Sequence, residues 1–182
     1  MLEGSTGFVL DRGERWTANR IGCVSPSGMM LSPRLRRQYL PPGQLVVCAD
    51  PCAVTTIVGS CVAVCLMDRV ARVGGMNHYI LPFKARNDDC LRYGAVAIPR
   101  LIDGVLAMGG RRDRLEAKVF GGASVVGALC HDGDHLGSRN VRLARQILSE
   151  NGIPIIAEDV NGDRGRKVFF QSDEGTAWVR KL

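Results

Sequence analysis

The stretch that decides the fold is "GSCVAVCLMDRVARVGGMNHYILP", residues 59–82. Two apolar runs flank a short segment containing charges and glycines. "SCVAVCLMD" (60–68) reads as a buried strand. "GMNHYILP" (75–82) reads as a second strand, ended by Pro82, which cannot donate to a ladder. The short connection "DRVARVGG" favours an antiparallel pair. A turn centred near residue 70 sets residue 61 opposite about residue 79. The hairpin therefore brings Cys61 towards His78, one of only three histidines in the chain.

Upstream, "QLVVCA" (44–49) and the β-branched run "AVTTIVG" (53–59) are further strands. "LPPGQ" (40–44) marks the entrance to a folded domain, 39–182. Residues 1–38 are rich in Gly, Ser and Pro, lack periodicity, and read as a mobile or loosely attached extension. Downstream, a helix is expected within 88–109, with "NDDC" offering caps, "GG" at 109–110 a stop, and Pro99 a kink or a later true start. "RLEAKVFGGA" (114–123) is a strand entering a glycine turn. "SRNVRLARQILSENG" (138–152) is the clearest helix, with Val141, Ala144, Ile147 and Leu148 on one stripe and Ser138 or Gly137 as its cap. Strands at 153–159, 166–172 and 176–182 complete a pattern without regular βαβ alternation, so the class is α+β.

Composition narrows the function. The 182 residues can bury a sizeable core without disulfides. Seven irregularly spaced cysteines fit reduced thiols in a cytoplasm better than a secreted framework. No apolar run reaches the roughly eighteen residues of a membrane helix, and the start lacks the basic-then-apolar pattern of a secretory signal. The net charge of +6 favours an acidic partner or is simply a solvated face. No nucleic-acid-binding motif and no internal repeat is visible.

Cys61 is a candidate nucleophile with His78 as its base, set against the alternative of a small buried cysteine and a satisfied histidine. The spacing Cys48-x3-Cys52 and Cys61-x3-Cys65 imitates paired zinc half-sites. Strand geometry opposes the second pair. Residues four apart on a strand are about 13 Å apart, whereas two thiolates on one zinc lie within roughly 4 Å. No metal or other cofactor is therefore expected. "CHDGDHLG" (130–137), with His131 and His135, reads as a solvent-facing connection. "VFGGAS" (119–124) lacks a phosphate-loop frame; Gly121 and Gly122 instead permit a close approach of backbone to the site.

These pieces, in order, resemble the CheD family of chemoreceptor glutamine deamidases. The matching segments are Gly-Ser-Cys-Val at 59–62, Gly-Met-Asn-His with Leu-Pro at 75–82, and Arg92-Tyr93-Gly94. They continue with "AKVFGGA" (117–123), Gly137 with Arg139-Asn140, "AED" (157–159) and "GRKVFF" (165–170). The resemblance covers about 40–182 and leaves 1–38 outside. Asn161 departs from it, standing where a second glycine is common. The resemblance implies a Cys-His-Thr hydrolase with Cys61 as nucleophile and His78 as base. Thr55 is the preferred third member, because regular alternation sets it on the side of Cys61; Thr56 is the alternative. It implies a sandwich of mixed and antiparallel sheets with helices on one face, similar to the catalytic fold of the cytotoxic necrotizing factors. It also implies glutamine-to-glutamate conversion on methyl-accepting chemotaxis receptors, hydrolysis of glutamyl methyl esters by the same route, and a CheC-type phosphatase as partner. A non-catalytic chemotaxis binding module with the same fold is the rival reading.

Overall fold

The computed structural model describes residues 7–10, 16–18, 35–83, 89–124 and 135–182. At its centre β6 (Val62–Asp68) and β7 (Val73–Tyr79) form the expected antiparallel hairpin, with Val62 opposite Tyr79 and Ala63 opposite His78. The register differs by one residue from that of a turn centred at 70. Every residue of both strands is buried, because both faces of this sheet are covered. Val62, Val64 and Leu66 point into a core shared with two helices. Ala63, Cys65 and Met67 point into a second core shared with another sheet.

The larger sheet has seven strands in the order β2-β1-β4-β7-β6-β8-β9. Its outer members are β1 (Gly7–Leu10), β2 (Trp16–Ala18), β4 (Gln44–Cys48), β8 (Glu116–Gly121) and β9 (Ile155–Val160). The smaller sheet, ordered β11-β10-β5-β3, comprises β3 (Arg36–Tyr39), β5 (Cys52–Val58), β10 (Arg166–Gln171) and β11 (Thr176–Lys181). Among the described strands, the β8–β9 and β3–β5 pairs are parallel and the others antiparallel. Helices α1 (Gly94–Ala107) and α2 (Leu136–Glu150) pack on the face of the larger sheet that the smaller one leaves open. The class is α+β, as the sequence implies, in three layers: helices, seven strands, four strands.

Several local expectations are corrected. α1 begins at Gly94, with Tyr93 at the N-cap and no side-chain cap. The "NDDC" segment does not start it, and Asn87 and Asp88 lie outside the described residues. The first donors, Gly94 and Ala95 N–H, are satisfied by the Leu81 and Pro82 carbonyls instead. Pro99 thus falls in the second turn. α2 starts two residues early, capped by His135, whose Nδ1 accepts from Ser138 N at 3.2 Å. Its far end stops at Gly152, which takes a left-handed φ of +68°. At the front of the chain, β1 pairs antiparallel with β4 and β3 pairs parallel with β5.

Two buried charges tie turns together. Asp68, at the end of β6, accepts from Val70, Ala71 and Arg111 backbone N–H groups and pairs with Arg114 at 2.8 Å. Although burial opposes ionisation, those backbone and guanidinium donors hold its carboxyl below the usual range. Arg166 links the two sheets, donating to Asp159 at 2.8 Å and to the Arg164 and Asn161 carbonyls. Asn161 has a φ of +61°, a conformation asparagine tolerates better than most residues, which explains how it stands in for glycine.

Candidate active site

The chain leaves the smaller sheet at Val58, bends through Gly59, Ser60 and Cys61, and enters the larger sheet at Val62. That crossing turns the strand over. Before it, Val54, Thr56 and Val58 face the layer between the sheets. After it, Ala63, Cys65 and Met67 do. Cys61 packs against the same layer and is half-buried. Regular alternation through the bend, the premise for preferring Thr55, therefore fails. Thr56 and Cys61 share a side, while Thr55 lies on the outer face of β5.

His78 faces the inter-sheet layer from β7, opposite Ala63. Cys61 lies in the bend that enters β6, two residues before Ala63, and packs against the same inter-sheet layer. The hydroxyl that meets His78 is that of Thr56, 2.8 Å from Nδ1. Thr56 Oγ1 also donates to the Leu40 carbonyl at 2.8 Å. A hydroxyl has one proton; with that proton given to Leu40, its oxygen can only accept from the ring. The neutral imidazole accordingly carries its proton on Nδ1, leaving the Nε2 lone pair free. Nε2 is buried and has no hydrogen-bond partner among the described residues.

The electrostatics keep this pair neutral at rest. Burial pushes the His78 imidazole down to about 4, opposed in part by the Leu40 carbonyl. Burial also raises the Cys61 thiol above its ordinary range. Both shifts favour the neutral forms, a protonated Cys61 thiol and an unprotonated His78 imidazole, at neutral pH.

The nucleophile bend is held from two sides. At the end of β8, Gly122 N donates to the Cys61 carbonyl at 2.9 Å and Ala123 N to the Gly59 carbonyl at 2.8 Å. Gly121 has a φ of +111°, and a Cβ there would overlap the Cys61 carbonyl oxygen. The close backbone approach expected of this glycine pair is therefore present. From the helix side, Asn140 Nδ2 donates to the Ser60 and Ile80 carbonyls, both at 2.9 Å. One buried amide thus clamps the residue before Cys61 and the strand end after His78. The Tyr79 hydroxyl in turn donates to the Asn140 carbonyl at 2.6 Å. Sequence reasoning placed Asn140 only in a helical first turn. Its signal was available: Asn140, Ala144 and Leu148 fall on one stripe, and a polar residue on an apolar stripe needs buried partners.

The remaining candidates stand apart. Cys65 is wholly buried in the inter-sheet core. Cys48 and Cys52 are buried neighbours where β4 gives way to β5, and each thiol perturbs the other. No three His, Cys, Asp or Glu converge as metal ligands among the described residues. His135 serves as a cap, and His131 lies outside the described residues. No described helix is long and apolar enough to cross a membrane.

The profile of the CheD family, described as CheD chemotactic sensory transduction, matches residues 80–181. The chain belongs to the CheD family. A probable chemoreceptor glutamine deamidase CheD 1 of Anaeromyxobacter dehalogenans (strain 2CP-C) is 53% identical over 144 residues, covering 79% of this chain and 84% of that protein. The probable chemoreceptor glutamine deamidase CheD of Rhizobium leguminosarum bv. trifolii (strain WSM2304) is 44% identical over 154 residues, 82% of each chain. That of Sulfurimonas denitrificans (strain ATCC 33889 / DSM 1251) is 41% identical over 147 residues, 79% of this chain and 93% of that protein. The profile begins after Thr56, Cys61 and His78. The matches to these CheD relatives are long enough that they must span all three.

Proposed function

We propose that this CheD-family chain deamidates glutamine side chains of methyl-accepting chemotaxis receptors through Cys61, His78 and Thr56. The observation that carries the reading is the Thr56–His78 contact, because it leaves Nε2 as the basic nitrogen of a ring that faces the layer Cys61 packs against. The names of the relatives, chemoreceptor glutamine deamidases, support the substrate.

The chemistry follows from the neutral resting pair. As a carboxamide enters, Nε2 takes the Cys61 proton and Sγ attacks the carboxamide carbon. The imidazolium gives that proton to the departing nitrogen, the C–N bond breaks, and ammonia leaves a thioester. Nε2 then deprotonates a water that attacks the same carbon. The C–S bond breaks, the thiolate recovers the proton, and glutamate is released. Thr56 holds the ring in one tautomer and orientation throughout, the task of the third member in hydrolytic triads. A glutamyl methyl ester would pass through the same thioester with methanol as the leaving group. The setting we propose is the cytoplasm, with a CheC-type phosphatase as regulatory partner. Kinship with the cytotoxic necrotizing factor fold is part of the same proposal, supported by the layering of two sheets with helices on one side.

The test is ammonia release from a cytoplasmic receptor fragment. The wild-type protein is expected to release ammonia, and Cys61→Ala and His78→Ala to release none while remaining folded. Undiminished release by Cys61→Ala would contradict the reading.

A further inference from the structure

The β6–β7 ladder stops one residue short of the nucleophile. Its last pair is Val62 and Tyr79. Beyond that pair the two chains part. One bends back through Cys61 and Ser60. The other turns away at Ile80, whose N–H donates to the Arg92 carbonyl at 2.8 Å. The carbonyls of Ser60 and Ile80 are left at the open end of the ladder. Both are acceptors, so neither can bond the other. The Asn140 side chain closes this end, with Nδ2 donating to each carbonyl at 2.9 Å. A primary amide carries two protons on one nitrogen, and here each has its own acceptor. The two carbonyls also fix which way the amide faces, because Oδ1 turned towards them would be repelled.

The helix that carries this amide is itself anchored around the site. Tyr79, the residue after His78, donates its hydroxyl to the Asn140 carbonyl at 2.6 Å. A Cβ on Gly137 would overlap the Gly122 carbonyl oxygen. The first turn of α2 therefore lies flush on the end of β8, the segment whose N–H groups hold the bend from its other side. Asn140 is wholly buried, and among the described residues its Oδ1 has no hydrogen-bond partner. A buried acceptor left unpaired works against stability. That end of the side chain gains nothing for the fold, so the amide is explained by what Nδ2 does at the bend.

We propose that Asn140 is a positioning residue for turnover, bracketing the reacting pair between the carbonyl before Cys61 and the carbonyl two residues after His78. The proposal rests on the deamidase reading above. Asn140 takes no proton in the reaction. It acts through the backbone. With both carbonyls held by one nitrogen, the bend cannot swing away from the end of β7 without losing a hydrogen bond. Transfer of the Cys61 proton to Nε2 needs the two atoms within hydrogen-bond reach at the moment of attack. A bend released by about 1 Å would leave thiol and imidazole chemically intact but out of line. The loss then falls on kcat.

Ammonia release from a cytoplasmic receptor fragment is measured for wild-type protein, Asn140→Ala and Asn140→Ser, well below each melting transition. Asn140→Ala has no donor and is expected to lower kcat about 100-fold, with KM within about threefold of wild type. Asn140→Ser offers one proton and can hold only one of the two carbonyls, so its kcat should lie between. Ile147→Ala, which removes an apolar contact of α2 with the core, is the control for a loosened helix. It should lower the melting temperature and keep kcat. Alkylation of Cys61 by iodoacetamide, taken as the difference from the same protein carrying Cys61→Ser, is the second readout. It needs the thiol but not its alignment with His78, so the Asn140 variants should react within about threefold of the wild-type rate. Wild-type kcat in Asn140→Ala would overturn the proposal. So would an equal loss of kcat in Ile147→Ala, alkylation faster by about tenfold or more, or failure of both Asn140 variants to fold, because each assigns Asn140 to holding the fold alone. Absence of ammonia release from the wild-type protein would overturn the deamidase reading itself, a result distinct from all of these.

Discussion

The Thr56 hydroxyl has one proton and two neighbours, and the direction in which that proton points fixes the chemistry available to His78. Thr56→Val removes the acceptor at Nδ1 and frees the ring to turn or to carry its proton on Nε2. We expect kcat for ammonia release to fall on the order of 100-fold, while Thr55→Val, on the outer face, changes it little. Equal effects from the two substitutions would contradict the assignment of Thr56. The thiol supplies a second prediction at this scale. With Cys61 raised and His78 lowered by burial, both groups favour their neutral forms before substrate arrives. Alkylation of Cys61, taken as the difference between wild-type protein and Cys61→Ser, should accelerate only as pH rises above the ordinary thiol range. A plateau of fast alkylation between pH 5 and 8 would reveal a preformed ion pair instead.

At the scale of elements, the site depends on a bend between two sheets and on what grips it. Gly121→Ala combines a left-handed backbone with overlap onto the Cys61 carbonyl. It should lower kcat at least tenfold, since displacements near 1 Å at a nucleophile cost that much or more. It should also cost about 1–3 kcal/mol of stability. Gly152→Ala makes a useful contrast: its φ of +68° is strained, but the space around it is open. There a loss of stability without a loss of kcat is expected, read from thermal melting and turnover together. The same bend explains what the sequence made legible and what it did not. β6 is a continuous apolar run, and a short turn before β7 left few registers to choose from, so Cys61 and His78 could be set near one another from the sequence. The choice between Thr55 and Thr56 depended on alternation persisting past Val58. It breaks there because the chain changes sheets, a tertiary event that leaves no mark in a local pattern beyond Gly59. The cap of α1, within its expected range, was misread for a related reason. Its first donors are satisfied by the Leu81 and Pro82 carbonyls, so no capping side chain announces it.

For the whole molecule, two buried groups make stability depend on pH in the same direction. His78 is neutral when folded and has a depressed affinity for protons, so the unfolded chain binds the extra proton first. Its contribution is complete above about pH 6.5 and is lost as pH falls towards 4, a change of roughly 3 kcal/mol. Asp68, whose folded pKa is depressed, adds stability above the usual carboxylate range that is lost on further acidification. Denaturant unfolding between pH 7 and 4 should therefore show falling stability, with a shallower fall in His78→Leu. An equal slope in both proteins would place the His78 imidazole in contact with solvent. The layered architecture was legible as strands with two helices, and a sandwich of sheets was expected from the resemblance; which strand belongs to which sheet was not legible. β5 and β6 adjoin in sequence yet belong to different sheets, and only packing decides that. The central claim is that Cys61 hydrolyses receptor glutamine to glutamate. Intact-mass measurement of a cytoplasmic receptor fragment after incubation tests it most directly. Wild-type protein should make the fragment heavier by about one dalton per glutamine converted, and Cys61→Ala should leave its mass unchanged. An unchanged mass with wild-type protein, or the same gain with Cys61→Ala, would contradict the account.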